Sequence, residues 1–120
     1  MKVLVVDDSK AMRMIVIRTL KSTELTITEI KEAEDGADAL SVLAEYDAEL
    51  VLCDWNMPNM NGIDFLKAMR ANGDNRTFGF VTSESDAGMR QEANDAGASF
   101  LLNKPFTAES FTEAVGTLVS

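Results

Sequence analysis

Glu49-Leu50-Val51-Leu52-Cys53, running into Asp54-Trp55-Asn56-Met57-Pro58, is the stretch that decides how this chain folds. Its first five positions are too short for a helix and continuously apolar after Glu49, the signature of a strand buried on both faces. Pro58 and the neighbouring Asn residues then break regular structure, so Asp54–Gly62 reads as a loop. That loop leads into a helix with Phe65, Leu66 and Met69 facing inward. An acidic residue therefore ends a buried strand, with a strand-to-helix loop beginning at its side chain.

The same unit repeats in both directions. Lys2–Val6 is a continuous apolar strand, and Ser9 caps a helix to about Ser22 with Met12, Ile15, Val16 and Leu20 on one face. Glu29–Ala33 alternates with charge, which suits a strand at a sheet edge. Gly36 precedes a helix carrying Ala39, Leu40 and Leu43. Beyond the central loop, Phe78–Thr82 is a strand, and a helix over Ala87–Ala96 stops at Gly97. Phe100–Leu102 is the last strand and Pro105 ends it. Thr107 opens a final helix with Phe111, Ala114, Val115 and Leu118 on its buried side. The pattern is (βα)₅. Strands of this kind alternating with amphipathic helices imply a doubly wound five-stranded parallel sheet, an α/β fold covered on both faces.

Bulk properties restrict the function. The 120 residues suit one domain spanning 1–120, and 46% hydrophobic with 26% charged residues is a globular composition. No apolar run is long enough to span a bilayer, and Asp7-Asp8 follow the first strand too closely for a signal peptide, so a cytoplasmic location is expected. The net charge of −9 repels nucleic acid and anionic membrane and favours cations and basic partner surfaces. Cys53, the single cysteine, lies in an apolar run and is expected to be buried and inert. The absence of histidine excludes the usual zinc sites, Ser-His-Asp catalysis and a phosphohistidine on this chain.

Open parallel sheets bind ligands beyond the carboxyl ends of their strands, where strand order reverses. Those ends carry Asp7-Asp8, Asp54, Thr82-Ser83 and Lys104, with Glu34-Asp35 after the edge strand. Three converging carboxylates raise one another's pKa unless a cation sits among them. Oxygen ligands without His or Cys select Mg²⁺, which keeps waters and awaits phosphate oxygens. Lys104 adds a fixed positive charge and Thr82 a hydroxyl donor, the groups that stabilise a transferring phosphoryl. Asp54, at the end of the central strand, is the candidate nucleophile. Taken singly, an Asp pair after a strand is usually a helix cap, and a lone Lys a surface charge. Their coincidence at successive strand ends is what points to one site.

Along its whole length the chain resembles the receiver domains of two-component response regulators. The resemblance rests on Val5-Val6-Asp7-Asp8-Ser9, Glu34-Asp35-Gly36, Asp54-Trp55-Asn56-Met57-Pro58 with Asn61-Gly62, Val81-Thr82, Ala96-Gly97-Ala98 and Lys104-Pro105-Phe106. The stretch Asp54–Met60 is most similar to the single-domain chemotaxis regulators of the CheY type. The resemblance implies a flavodoxin-like, CheY-like sheet of order 2-1-3-4-5. It implies that Asp54 accepts a phosphoryl group from a sensor histidine kinase, with Mg²⁺ held by Asp8, Asp54 and the Asn56 backbone carbonyl, and by Asp7 through water. Lys104 and Thr82 would bind the phosphoryl oxygens, and Lys104-Pro105 would be a cis peptide. Asn56 and Glu84 would tune the lifetime of the acyl phosphate, their match to the chemotaxis regulators pointing to a short one.

One departure bears on output. The family's switch couples the Thr82 position to an aromatic three residues before the lysine, and Leu101 stands there with Phe100 beside it. Neighbours on a strand face opposite ways, so Phe100 replaces that aromatic only if the register slips. Ser120 alone follows the last helix, so output is expected through protein–protein contact by a monomer. The contact face implied is that of the fourth helix, fifth strand and fifth helix. Met14 and Ile17 lie off the main face of the first helix and would meet a kinase or dimer partner if exposed. A phosphorelay intermediate, passing the group to a histidine on another protein, fits the same residues. An aspartyl-phosphate phosphohydrolase of the haloacid dehalogenase kind wants an acid where Asn56 stands, so no enzyme activity beyond the domain's own phosphorylation and dephosphorylation is expected. A flavin-binding alternative lacks its phosphate loop.

Overall fold

Val3, Leu4, Val5 and Val6 of the first strand, β1 (Lys2–Val6), are all shut off from solvent, because this strand is paired on both edges and covered on both faces. Around it run α1 (Lys10–Lys21), β2 (Glu29–Ala33), α2 (Gly36–Leu43), β3 (Leu50–Cys53), α3 (Gly62–Ala71), β4 (Thr77–Thr82), α4 (Ala87–Ala96), β5 (Phe100–Asn103) and α5 (Ala108–Val119). This computed structural model describes residues 1–83, 85–104 and 106–119, with side chains through Val115. The expectations for Glu84, for the Lys104–Pro105 peptide and for the Leu118 side chain fall outside those residues.

All strand pairs are parallel, and the order is β2-β1-β3-β4-β5. The chain steps outward from β1 to β2, then returns across it to β3, so the order reverses between β1 and β3. One face packs on α2, α3 and α4 through Phe65, Leu66, Met69, Phe78 and Phe80. The other packs on α1 and α5 through Val3, Val5, Val16, Leu20, Phe111 and Val115. Alternation along each strand divides the two cores, since successive side chains leave a strand on opposite sides.

The helices begin where their caps stand. Ser9, Asp35, Asn61 and Asp86 each accept a backbone N–H from the first turn of α1, α2, α3 and α4. Because Asp35 is the cap, Gly36 is the first residue of α2 rather than its predecessor. Gly97 ends α4 with φ +98°, the left-handed conformation that costs glycine nothing. Other boundaries move by a residue: β3 starts at Leu50, β4 at Thr77, and β5 continues to Asn103.

The expected core face of α1 needs correction. Ile15 is 47% exposed, while Ile17 is partly buried against the core shared with α5. The inward stripe is Arg13, Val16, Ile17 and Leu20, which keeps the i, i+3, i+4, i+7 spacing but starts one residue later than the apolar residues suggest. Arg13 occupies an inward position because its guanidinium donates to the Asp7 carbonyl at 2.6 Å and to Glu32 at 2.9 Å. A charged residue that satisfies itself beneath the helix has set the helix rotation. Met14 is exposed, as expected from its place off the core face.

Strand β5 follows the alternation rule. Leu101 joins the α2–α3–α4 core, while Phe100 and Leu102 face α1 and α5. Phe100 is paired with Gly79, and a Cβ at Gly79 would overlap the Phe100 ring. Gly79→Ala is therefore expected to destabilise the domain by about 1–3 kcal/mol, despite the usual gain from removing a strand glycine. Combining it with Phe100→Leu should recover part of that loss in chemical denaturation. If the two changes simply add, the ring does not rest on Gly79.

Candidate functional site

Parallel pairing brings four strand ends level with one another. Val6 is opposite Cys53, and Cys53 opposite Phe80, so Asp7 and Asp54 emerge side by side beyond the sheet. The Asp54 N–H donates to the Val6 carbonyl, extending the ladder by one bond. On the far side Thr82 pairs with Asn103, and the Lys104 N–H donates to the Thr82 carbonyl at 2.8 Å. Residues scattered over about a hundred positions are brought together by backbone register alone.

Asp7, Asp8 and Asp54 each place a carboxylate oxygen within 4.8 Å of the others. Asp7 is buried and fully engaged: Oδ1 accepts the Ser9 N–H at 2.9 Å and Oδ2 accepts Lys104 Nζ at 3.2 Å. Asp8 is exposed at the rim. Asp54 Oδ1 accepts the Trp55 N–H at 2.8 Å and stands 3.8 Å from Lys104 Nζ. Among the described residues no hydrogen bond reaches Asp54 Oδ2. Thr82 is fully buried at the end of β4 and already has a partner. Asn56 is exposed in the loop after Asp54.

Burial pushes the Asp54 carboxyl above its ordinary range, because ionising it costs solvation. The Lys104 ammonium pulls it back down, the charge of Asp7 raises it, the Trp55 N–H lowers it, and Asp8 raises it again. One ammonium thus faces three acids. A cluster of hard oxygen donors without nitrogen or sulfur ligands suits a small divalent cation such as Mg²⁺. Cys53 just behind the site is fully buried, and burial with the charges of Asp54 and Asp7 drives its thiol pKa well upward. Its burial is as expected.

The loop from Asp54 to Gly62 is shaped from several sides. The Gly62 N–H donates to the Trp55 carbonyl at 2.8 Å, and a Cβ on Gly62 would collide with the Asp54 carbonyl and the Phe80 ring. Trp55 packs at a tilt against Phe80 with ring centroids 4.7 Å apart, and Phe80 continues through Phe78 to Phe65. Two contributors escaped the sequence reading. Arg13 steadies the Asp7 backbone from below α1. Asp35 accepts the Asn59 side-chain amide at 2.8 Å, tying the loop to the turn before α2. Asn59, just after Pro58 in a loop, was the available signal, since Asn tolerates the left-handed conformation it adopts at φ +64°.

A parallel five-stranded sheet with acids at its switch point and lysine after its last strand defines a receiver architecture. The chain belongs to the response regulator receiver domain family, whose model matches residues 3–116. It is 40% identical to the chemotaxis protein CheY-3 of Vibrio cholerae over 115 residues, covering 94% of this chain and 87% of that protein. It is 37% identical to a probable chemotaxis protein CheY of Rhizobium etli over 116 residues, covering 95% and 88%. Among solved structures, CheY4 of Vibrio cholerae superposes with a TM-score of 0.86 at 32% identity, covering 98% of both chains. A receiver domain of a Francisella response regulator matches with a TM-score of 0.86 at 27% identity, covering 98% and 94%. The chain is a CheY-like receiver of the two-component signalling class.

The raised pKa of Asp54 has a consequence for stability. The folded state binds its proton more tightly than the unfolded chain does, so the ionised carboxylate opposes folding without a cation. Asp54→Asn is expected to raise the thermal midpoint by a few degrees at neutral pH. That gain should vanish as pH falls below the ordinary carboxylate value of 3.8, where both states are protonated. Thermal melts of both proteins across pH in chelator check this.

Proposed function

We propose that this domain is switched by phosphorylation of Asp54 in a Mg²⁺-dependent reaction, with a phosphohistidine on a sensor kinase as donor. The observation that carries this reading is the meeting of Asp7, Asp8 and Asp54 within 4.8 Å, with Lys104 Nζ 3.2 Å from Asp7 and 3.8 Å from Asp54. An Asp54 oxygen attacks the phosphorus, an O–P bond forms, and the P–N bond breaks as the imidazole nitrogen keeps the electron pair and takes a proton. The Lys104 ammonium neutralises the phosphoryl oxygens, and the Thr82 hydroxyl donates to one of them.

Asp8, Asp54 and the Asn56 carbonyl would hold Mg²⁺ directly, and Asp7 would hold it through water. The ion supplies positive charge against both the attacking carboxylate and the phosphoryl oxygens. Asp7 suits the outer role because both of its oxygens already carry hydrogen bonds. Hydrolysis of the acyl phosphate resets the switch, with Asn56 and Glu84 as the positions that set its rate. The domain's catalysis extends no further than its own phosphorylation and dephosphorylation. Its output is contact with a protein partner through the α4–β5–α5 face, and the names of its relatives support a place in chemotaxis. Leu101, packed on the α2–α3–α4 core, stands at the position from which an aromatic rotamer would report the state of Thr82. The readout runs through aliphatic packing instead.

Trp55 shares its N–H with Asp54 and is the only tryptophan, so it reports on the site directly. Mg²⁺ and then beryllofluoride, a phosphoryl mimic, are expected to change its fluorescence in two steps. Asp54→Asn should abolish the second step. A variant that still answers beryllofluoride would overturn the assignment of Asp54.

A further inference from the structure

Asp35 is buried, acidic and close to the site, yet the proposed phosphoryl chemistry does not use it. One oxygen accepts the Asp38 N–H at 2.8 Å as the cap of α2, and the other accepts the Asn59 amide at 2.8 Å. These two bonds hold its carboxyl below the ordinary range. Beside it the Gly36 N–H donates to the Met60 carbonyl at 3.2 Å, and a Cβ on Gly36 would lie 3.0 Å from that same carbonyl and 2.8 Å from the Met60 side chain. The turn before α2 and the loop after β3 are therefore in direct backbone contact.

Asn59 holds φ +64°, a conformation uncommon outside glycine, and its side chain spans to Asp35 from there. Upstream, the loop is pinned where Trp55 bonds Gly62. Asn56 lies between these two anchors, three residues from the second. Its carbonyl is the one proposed ligand supplied by backbone rather than by a side chain, so only the path of the loop can aim it.

We infer that Asp35 is a positioning residue for the metal site, acting through its hydrogen bond to Asn59 to hold the Asn56 carbonyl in place. This rests on the Mg²⁺ reading above. Partners that orient a ligand from outside the coordination sphere typically alter metal affinity by 10–100-fold when removed. Two single variants break the bond differently. Asn59→Gly removes the amide and keeps the left-handed backbone. Asn59→Asp sets a carboxylate against Asp35 and makes the region more negative, which by long-range charge alone would strengthen cation binding. A double exchange, Asp35→Asn with Asn59→Asp, restores both total charge and bond. The amide at position 35 keeps an oxygen for the Asp38 N–H and turns its NH₂ to the carboxylate at position 59.

Mg²⁺ titration of Trp55 fluorescence, beside thermal melts in chelator, separates positioning from mere stability. Both single variants are expected to bind Mg²⁺ about tenfold more weakly at temperatures where they are folded, and the double exchange should return to the wild-type affinity. A lowered thermal midpoint with unchanged Mg²⁺ affinity would make the contact purely structural and overturn the inference. Weak binding that the exchange does not rescue would overturn it too. Should Asn59→Asp not fold, Asn59→Gly and the exchange decide between these outcomes. A wild-type protein indifferent to Mg²⁺ would instead sink the proposed function.

Discussion

Everything at the working end of this domain depends on crowding three carboxylates around one ammonium. Asp7, Asp8 and Asp54 are held together by parallel strand register, not by mutual attraction, and Lys104 alone offsets them among the described residues. Such a cluster is an electrostatic liability for the folded chain. The sheet tolerates it because β1 and β3 are buried along their full lengths after Lys2, and their hydrophobic burial outweighs a frustrated site at the rim. The liability is also what makes the site responsive, since any cation or phosphoryl group that rearranges the charge shifts the local balance.

Around that cluster the structure separates rigid from adjustable parts. The strand ends are fixed by backbone ladders, and the aromatic series Trp55–Phe80–Phe78–Phe65 runs from the site into the core. The loop after Asp54 has to be tied down piecewise, through Gly62, Met60 and Asn59. Loops carry function on such scaffolds because they are positioned by the scaffold without belonging to its ladders.

The sheet and the meeting of Asp7, Asp8, Asp54 and Lys104 were legible in the sequence. Buried parallel strands read as unbroken apolar runs, and an α/β sheet gathers whatever follows them. The rotation of α1 was not legible, because it turns on Arg13 finding the Asp7 carbonyl, a bond that no periodicity of apolar residues registers. The Asp35–Asn59 tie was hidden for the same reason. Each residue alone is an ordinary cap or turn former, and their meeting across 24 positions exists only once β2 and β3 have both paired with β1.

The Phe100 ring over Gly79 constrains the order in which a lineage reaches this sequence. A large ring at position 100 over a side chain at 79 is overpacked at the first pair of the β4–β5 contact. A glycine at 79 opposite a smaller residue leaves only a slack spot in an otherwise good strand. Losing a side chain there costs about 1 kcal/mol, whereas forcing a ring onto one costs up to about 3. The tolerable route is glycine first and phenylalanine second, and the return journey must reverse it. Phe100 is thus held on its side of the sheet by its fit over Gly79, away from the face where Leu101 stands.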